Sequence, residues 1–202
     1  MLCQHNTFGQ TKGQTIVDTF ERRVIGHHCQ LHQVLGTGGH AQGGIYFVGL
    51  VPSLVEDPET DMLLVFDAIS DAGIAPGNVA FEVEEADLAR DPERSERIRR
   101  YLRLKGFAFA LCNAGVSAGG FSFQAVRDFT PDYIKLDKRL VQNMHQPLCA
   151  PIISKLVQLG ESSGACVVAE GVDRLGMLED LWLLGVRFMQ GRLFSMEELP
   201  IM

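Results

Sequence analysis

The sequence predicts an α/β fold, a parallel sheet with helices on its outside. Three observations carry that prediction. Short apolar stretches alternate with longer amphipathic ones along most of the 202 residues. Glycine, proline and aspartate stand at the joints between them. Several of the short stretches are apolar on both faces, as strands buried within a parallel sheet must be. An open doubly wound sheet and a (β/α) barrel both satisfy this rhythm.

Each element follows from its own residues. In 14–35, Ile16, Phe20, Val24, His27, Leu31 and Leu35 recur at spacings of three and four, which predicts an amphipathic helix ended by Gly36, Gly38 and Gly39. IYFVGL (45–50) reads as a strand, and 58–73 as a helix stopped by Gly73 before a turn at Pro76-Gly77. NVAFEVEE (78–85) is the next strand. Residues 91–106 form a helix with Asp91 as cap, Pro92 in the first turn and Gly106 as stop. FAFALC (107–112) is a strand, and a short helix covers 121–128. YIKLD (133–137) is a strand before a helix over 148–163. ACVVAE (165–170), a helix over 174–185 and VRFMQG (186–191) complete the chain. About six parallel strands with outer helices result.

The composition narrows the field. A chain of this length suits one domain with a real core. Hydrophobic residues make up 46% and charged residues 21%. The net charge of −7 argues against nucleic acid and anionic membrane as partners. No run of about eighteen apolar residues suggests a membrane span. The opening MLCQHNTFGQTKGQ lacks the charged and apolar regions of a secretory leader. The five cysteines show no paired spacing, which fits reduced thiols and a cytoplasmic location.

The carboxyl ends of the strands carry the chemistry. In parallel α/β folds this rim is the functional face, because its loops vary while the strands hold position. Here the exits present Gly49 to Ser53, then Glu82, Glu84 and Glu85, then Cys112 and Asn113. Lys135 and Asp137, Glu170, and Gln190 follow. Five of these six exits deliver a polar or charged group, which points to a present or former site.

Those residues carry a family resemblance. FEVEEAD resembles the E-x-T-E strand of the EAL domain, the bacterial phosphodiesterase that opens cyclic di-GMP. DYIKLDKRLV resembles its D-x-x-K-x-D strand, VVAEGVD its A-E-G-V-E strand, and MQGRLFS its Q-G-Y ending. Four motifs in order, from about Gln10 to the end, make the match specific. The resemblance implies a TIM-barrel-like (β/α) fold in which one strand is antiparallel. It also implies hydrolysis by two Mg²⁺ or Mn²⁺ ions held by carboxylates. By resemblance Glu82 is a metal ligand, Glu85 supports a loop, Lys135 positions water, Glu170 contacts metal or water, and Gln190 lies in the ligand site.

The chain departs from the family where metals would bind. The family's D-D-F-G-T-G maps onto Cys112-Asn113-Ala114-Gly115-Val116-Ser117, so both aspartates are lost. Asn113 offers one neutral oxygen as a weak metal ligand, and a thiol suits Mg²⁺ poorly. Gly49 stands where the family has an asparagine ligand, and the E-A-L signature is absent. The sequence therefore reads as one EAL-like domain over 1–202 that lacks the first strands of the family barrel and is incomplete.

Three groups admit two readings. Lys135 is a catalytic lysine, or a buried cation that neutralises Glu82 and Glu170; the second is favoured. Cys112 is a reactive thiol or a small buried filler, again the second. His28 and His32 are a zinc pair at i, i+4, or exposed histidines without a role. The charged helix over 91–106 reads as a solvated face.

The expected function is a catalytically inactive EAL-like module for regulation or protein interaction in cyclic di-GMP signalling, with a signalling protein as partner. No cofactor is expected, and Mg²⁺ or Mn²⁺ only if family activity persists. The alternatives are a working metal-dependent phosphodiesterase and a receptor that binds cyclic di-GMP without cutting it. Six strands cannot close an eight-stranded ring. The exposed edges at 45–50 and 186–191 therefore predict a homodimer.

Overall fold

The computed structural model describes residues 14–20, 23–28, 44–116 and 121–194. Within them the chain forms a closed ring of strands in the order β1 to β8. The strands are β1 (Gln14–Asp18), β2 (Arg23–His28), β3 (Ile45–Gly49), β4 (Val79–Glu84), β5 (Ala108–Ala114), β6 (Tyr133–Leu136), β7 (Cys166–Glu170) and β8 (Phe188–Gln190). From β2 to β8 every neighbour is parallel. β1 runs antiparallel to both β2 and β8. The fold is the TIM-barrel-like α/β fold that the sequence implied, and all six expected strands are present.

The N-terminal helix is the correction. Residues 14–18 and 23–28 are strands, joined by the four residues 19–22. The spacing of Ile16, Phe20 and Val24 imitates a helix. However, Thr15, Ile16 and Val17, then Val24 and Ile25, are β-branched pairs and triplets that favour extended backbone. The edges expected at 45–50 and 186–191 are therefore paired, to β2 and to β1. The edge argument for a second copy falls with them. Four residues separate β1 from β2, which suffices because antiparallel neighbours need no crossover helix.

Outside the ring lie α1 (Pro58–Asp61), α2 (Leu63–Asp71), α3 (Glu85–Arg90), α4 (Pro92–Leu104), α5 (Phe121–Phe129), α6 (Lys138–Gln142), α7 (Cys149–Ser163) and α8 (Leu175–Leu183). α4 starts as its sequence dictates: the Asp91 carboxylate accepts from Arg94 N–H at 3.0 Å, and Pro92 fills the first turn. Its charged face is laced by Glu96 with Arg99 and Arg100, each at 2.7 Å. Ile98 and Leu102 point inward and are buried. α3 and α6 are short helices that the sequence did not reveal. Asp137 caps α6 by accepting from Arg139 N–H at 2.6 Å, so this rim carboxylate serves the backbone.

Two apolar layers hold the barrel. The larger packs strands against helices, with Phe81, Phe109, Leu111, Ile134 and Leu136 at its centre. The smaller fills the ring itself, with Ile16, Phe47, Ala80, Ala110 and Val168. The small residues Ala80 and Ala110 face the bulky Phe47, whose ring meets Tyr133 edge-on at 4.9 Å between centroids. Strand alternation then puts Glu82, Lys135, Glu170 and Gln190 one layer above this plug, at the carboxyl end.

Candidate functional site

Lys135 is the centre of the rim. Its residue is fully buried, yet its chemistry is ionic. The ammonium lies 2.5 Å from Glu82 Oε1 and 2.5 Å from Glu170 Oε1. It also stands 5.4 Å from the centroid of the Phe47 ring. β4, β6 and β7 thus each contribute one group. They meet because the residues occupy equivalent inward positions on parallel strands. Burial works against the charge on Lys135, but the carboxylates of Glu82 and Glu170 outweigh it and hold its pKa above the ordinary lysine value. Glu82 is itself 6% exposed, so the pair is a true buried ion pair.

β5 presents its two exit residues through a bulge. The register between β5 and β6 shifts between Leu111 and Ala114. Both of those side chains pack in the outer core, so Cys112 and Asn113 fall together on the rim side. Asn113 adopts φ 57°, in the left-handed region that asparagine tolerates better than most residues. Cys112 is buried. Burial first, and then the Glu82 charge, push its thiol pKa well above the ordinary value. Its burial at 8% exposure fits the small buried filler that the sequence context favoured.

Glu85 lies at the start of α3 and is buried. One of its oxygens accepts from the Ser122 hydroxyl at 2.7 Å and from Gly115 N–H at 3.3 Å. Gly115 N–H also donates to Ser122 Oγ at 2.8 Å. Glu85 therefore ties the end of β5 to the start of α5. Gln190 is buried on β8, in register with Glu170 on one side and Ile16 on the other. The structure brings Glu82, Lys135 and Glu170 together, sets Gln190 beside Glu170, and leaves Glu85 in a separate contact.

Two rim features escaped the sequence. Phe47 supports the ammonium from below, although IYFVGL reads only as an apolar strand. His28 ends β2 on this same rim, in register with Phe47. Reading 14–35 as a helix hid it. His28 is the last residue of this strand, and His32, with the i, i+4 zinc pair read from the sequence, lies outside the described residues.

The donor set does not suit two hard dications. Mg²⁺ and Mn²⁺ seek several anionic oxygens before they shed water. Here the two nearest carboxylates share one lysine, and the β5 exit offers a thiol and a neutral amide. Gly49 offers no side chain, although a Cβ there would meet nothing within 4 Å, so packing does not demand the glycine. Among the described residues no group of three His, Cys, Asp or Glu stands close enough to hold a metal. Among them, too, no helix is long and apolar enough to cross a membrane.

Comparison with known proteins agrees with the fold. The family model described as the EAL domain matches residues 9–197. The chain is 34% identical over 123 residues to the cyclic di-GMP phosphodiesterase RocR of Pseudomonas aeruginosa, covering 60% of this chain and 31% of that protein. It is 32% identical over 95 residues to the cyclic di-GMP phosphodiesterase PdeL of Escherichia coli, covering 46% of this chain and 26% of that one. It spans about a third or less of the length of the curated relatives it matches. Among solved structures, Klebsiella pneumoniae BlrP1 in its manganese and cyclic di-GMP complex superposes with a TM-score of 0.81 at 24% identity, over 89% of this chain and 53% of that one. A standalone EAL protein of Vibrio cholerae, in its c-di-GMP-bound form, gives 0.80 at 20% identity, over 91% and 90% of the two chains. The match over nearly the whole length, together with the barrel and its antiparallel β1, shows that the chain belongs to the EAL domain family.

Proposed function

We propose that this EAL domain does not hydrolyse cyclic di-GMP. It acts instead as a regulatory or protein-interaction module in bacterial cyclic di-GMP signalling, in the cytoplasm, with another signalling protein as partner. The observation that carries the reading is the exit of β5, where Cys112 and Asn113 stand at the positions of the family's two aspartates. Lys135, by resemblance the family's own lysine, holds the remaining carboxylates of Glu82 and Glu170 in one buried cluster. Cys112, Asn113 and Gly49 support the reading, since the neighbouring exits add no carboxylate.

The experiment is one preparation measured twice. Cyclic di-GMP is incubated with the protein and Mn²⁺, and product is quantified against a buffer blank and against Glu82→Ala. No turnover above the blank is expected. Turnover that Glu82→Ala abolishes would overturn the proposal. Calorimetry with cyclic di-GMP on the same sample then separates a module that ignores the nucleotide, which is expected, from a receptor that binds without cutting.

A further inference from the structure

We infer that the barrel opens at one seam, between β1 and β8, and that Thr19, Trp182 and Arg187 form the latch that keeps it shut. The inference stands apart from the proposed function and does not depend on it.

The seam differs from the others in its connectivity. Every other pair of neighbouring strands is also consecutive along the chain. Only β1 and β8 meet across almost the whole sequence, so their pairing alone turns a curled sheet into a ring. Three register pairs make it: Ile16 with Gln190, Val17 with Met189 and Asp18 with Phe188. The β1–β2 ladder has five pairs, so β1 keeps a local partner if the seam parts. Closing a long loop for a short ladder is the weak step in such a ring.

The latch lies at the end of this ladder. The Thr19 N–H donates to the Arg187 carbonyl at 3.1 Å, and the Thr19 hydroxyl donates to that same oxygen at 2.6 Å. The hydroxyl in turn accepts from Trp182 Nε1–H at 2.7 Å. Trp182 belongs to α8, Thr19 follows β1 and Arg187 precedes β8. One threonine therefore joins all three elements in a polarised chain of hydrogen bonds. The Phe20 ring extends the contact, 6.2 Å from Trp182 and 5.7 Å from the Arg187 guanidinium. Phe20 is nonetheless 58% exposed and Trp182 40% exposed. Thr19 itself is buried, so the latch has a covered hydrogen-bonded centre and an exposed aromatic rim where water can enter first.

The chain contains one tryptophan, so its emission reports the latch alone. Urea titration of the full chain is followed by tryptophan fluorescence and by far-UV circular dichroism. The fluorescence transition is expected at lower urea than the loss of ellipticity. Coincident transitions would overturn the inference. Hydrogen exchange supplies the second measurement. Thr19→Val and Trp182→Phe should each speed exchange of the β1 amides up to about tenfold, the scale of one lost hydrogen bond, while β4 and β5 keep their rates. Unchanged β1 rates, or equal acceleration in all strands, would refute the latch.

Discussion

Lys135 and Glu82 form an ion pair of 2.5 Å inside the barrel, one layer above its apolar plug and beside Glu170. Such a pair is dearer to break than to lack. Taking two charges from water is costly, and their attraction repays it only while both are present. Lys135→Met leaves Glu82 buried and Glu170 close by, with no cation between them. A loss of about 3–5 kcal/mol is expected. For a domain of this size that lowers the melting temperature by roughly 10 °C. Adding Glu82→Leu to the same chain removes the stranded charge and should recover part of the loss. Thermal melts of the single and double variants check it; a double variant less stable than Lys135→Met would contradict this account.

Alkaline stability follows from two groups with raised pKa values. Burial pushes the Tyr133 hydroxyl up to about 12. Lys135 also lies above its ordinary value. In both cases the folded state holds its proton longer than the unfolded state does. Their contribution is complete below about pH 10, where both are protonated in either state, and it is lost as pH climbs toward the folded values. Absorbance titration at the tyrosinate band should show one of the three tyrosines ionising near 12, and Tyr133→Phe should remove that phase. A Tyr133→Phe protein with an unchanged titration curve would show that another tyrosine is responsible.

The legibility of the chain was uneven, for physical reasons. β3 to β8 were readable because each is a short apolar run bounded by turn residues. α4 was readable because Asp91, Pro92 and Gly106 punctuate it. The β1–β2 ribbon was not, because Phe20 and Val24 place apolar residues where a helix would also want them. Only the β-branched clusters argued otherwise. At the rim, Glu82, Lys135 and Glu170 were identifiable from strand ends alone. Their mutual contact was not, since parity says which face a residue takes and register decides whom it meets. Ser122 gave no signal at all: a serine opening a helix is ordinary, and its bond to Glu85 spans 37 residues.

Returning both carboxylates to the β5 exit should not restore a working site. In Cys112→Asp with Asn113→Asp, the backbone is already suitable, because the bulge turns both positions to the rim and an aspartate tolerates the φ of 57° at residue 113. The charge field is not suitable. Around position 112, Glu82, Glu170 and Glu84 favour the protonated form against one opposing lysine, which is part of why the native thiol keeps its proton. A new carboxylate there enters the same field and must either stay protonated or repel its neighbours. Gly49 still adds no donor on the β3 side, and Lys135 still occupies both existing carboxylates. The double variant should therefore melt several degrees lower than the parent, by about 1–3 kcal/mol, and should not cleave cyclic di-GMP in Mn²⁺. Melts with and without millimolar Mn²⁺ distinguish the cases. No Mn²⁺-dependent rise is expected. A rise of several degrees together with product formation would show that the ring lacks only two carboxylates, and that Lys135 gives way when a dication arrives.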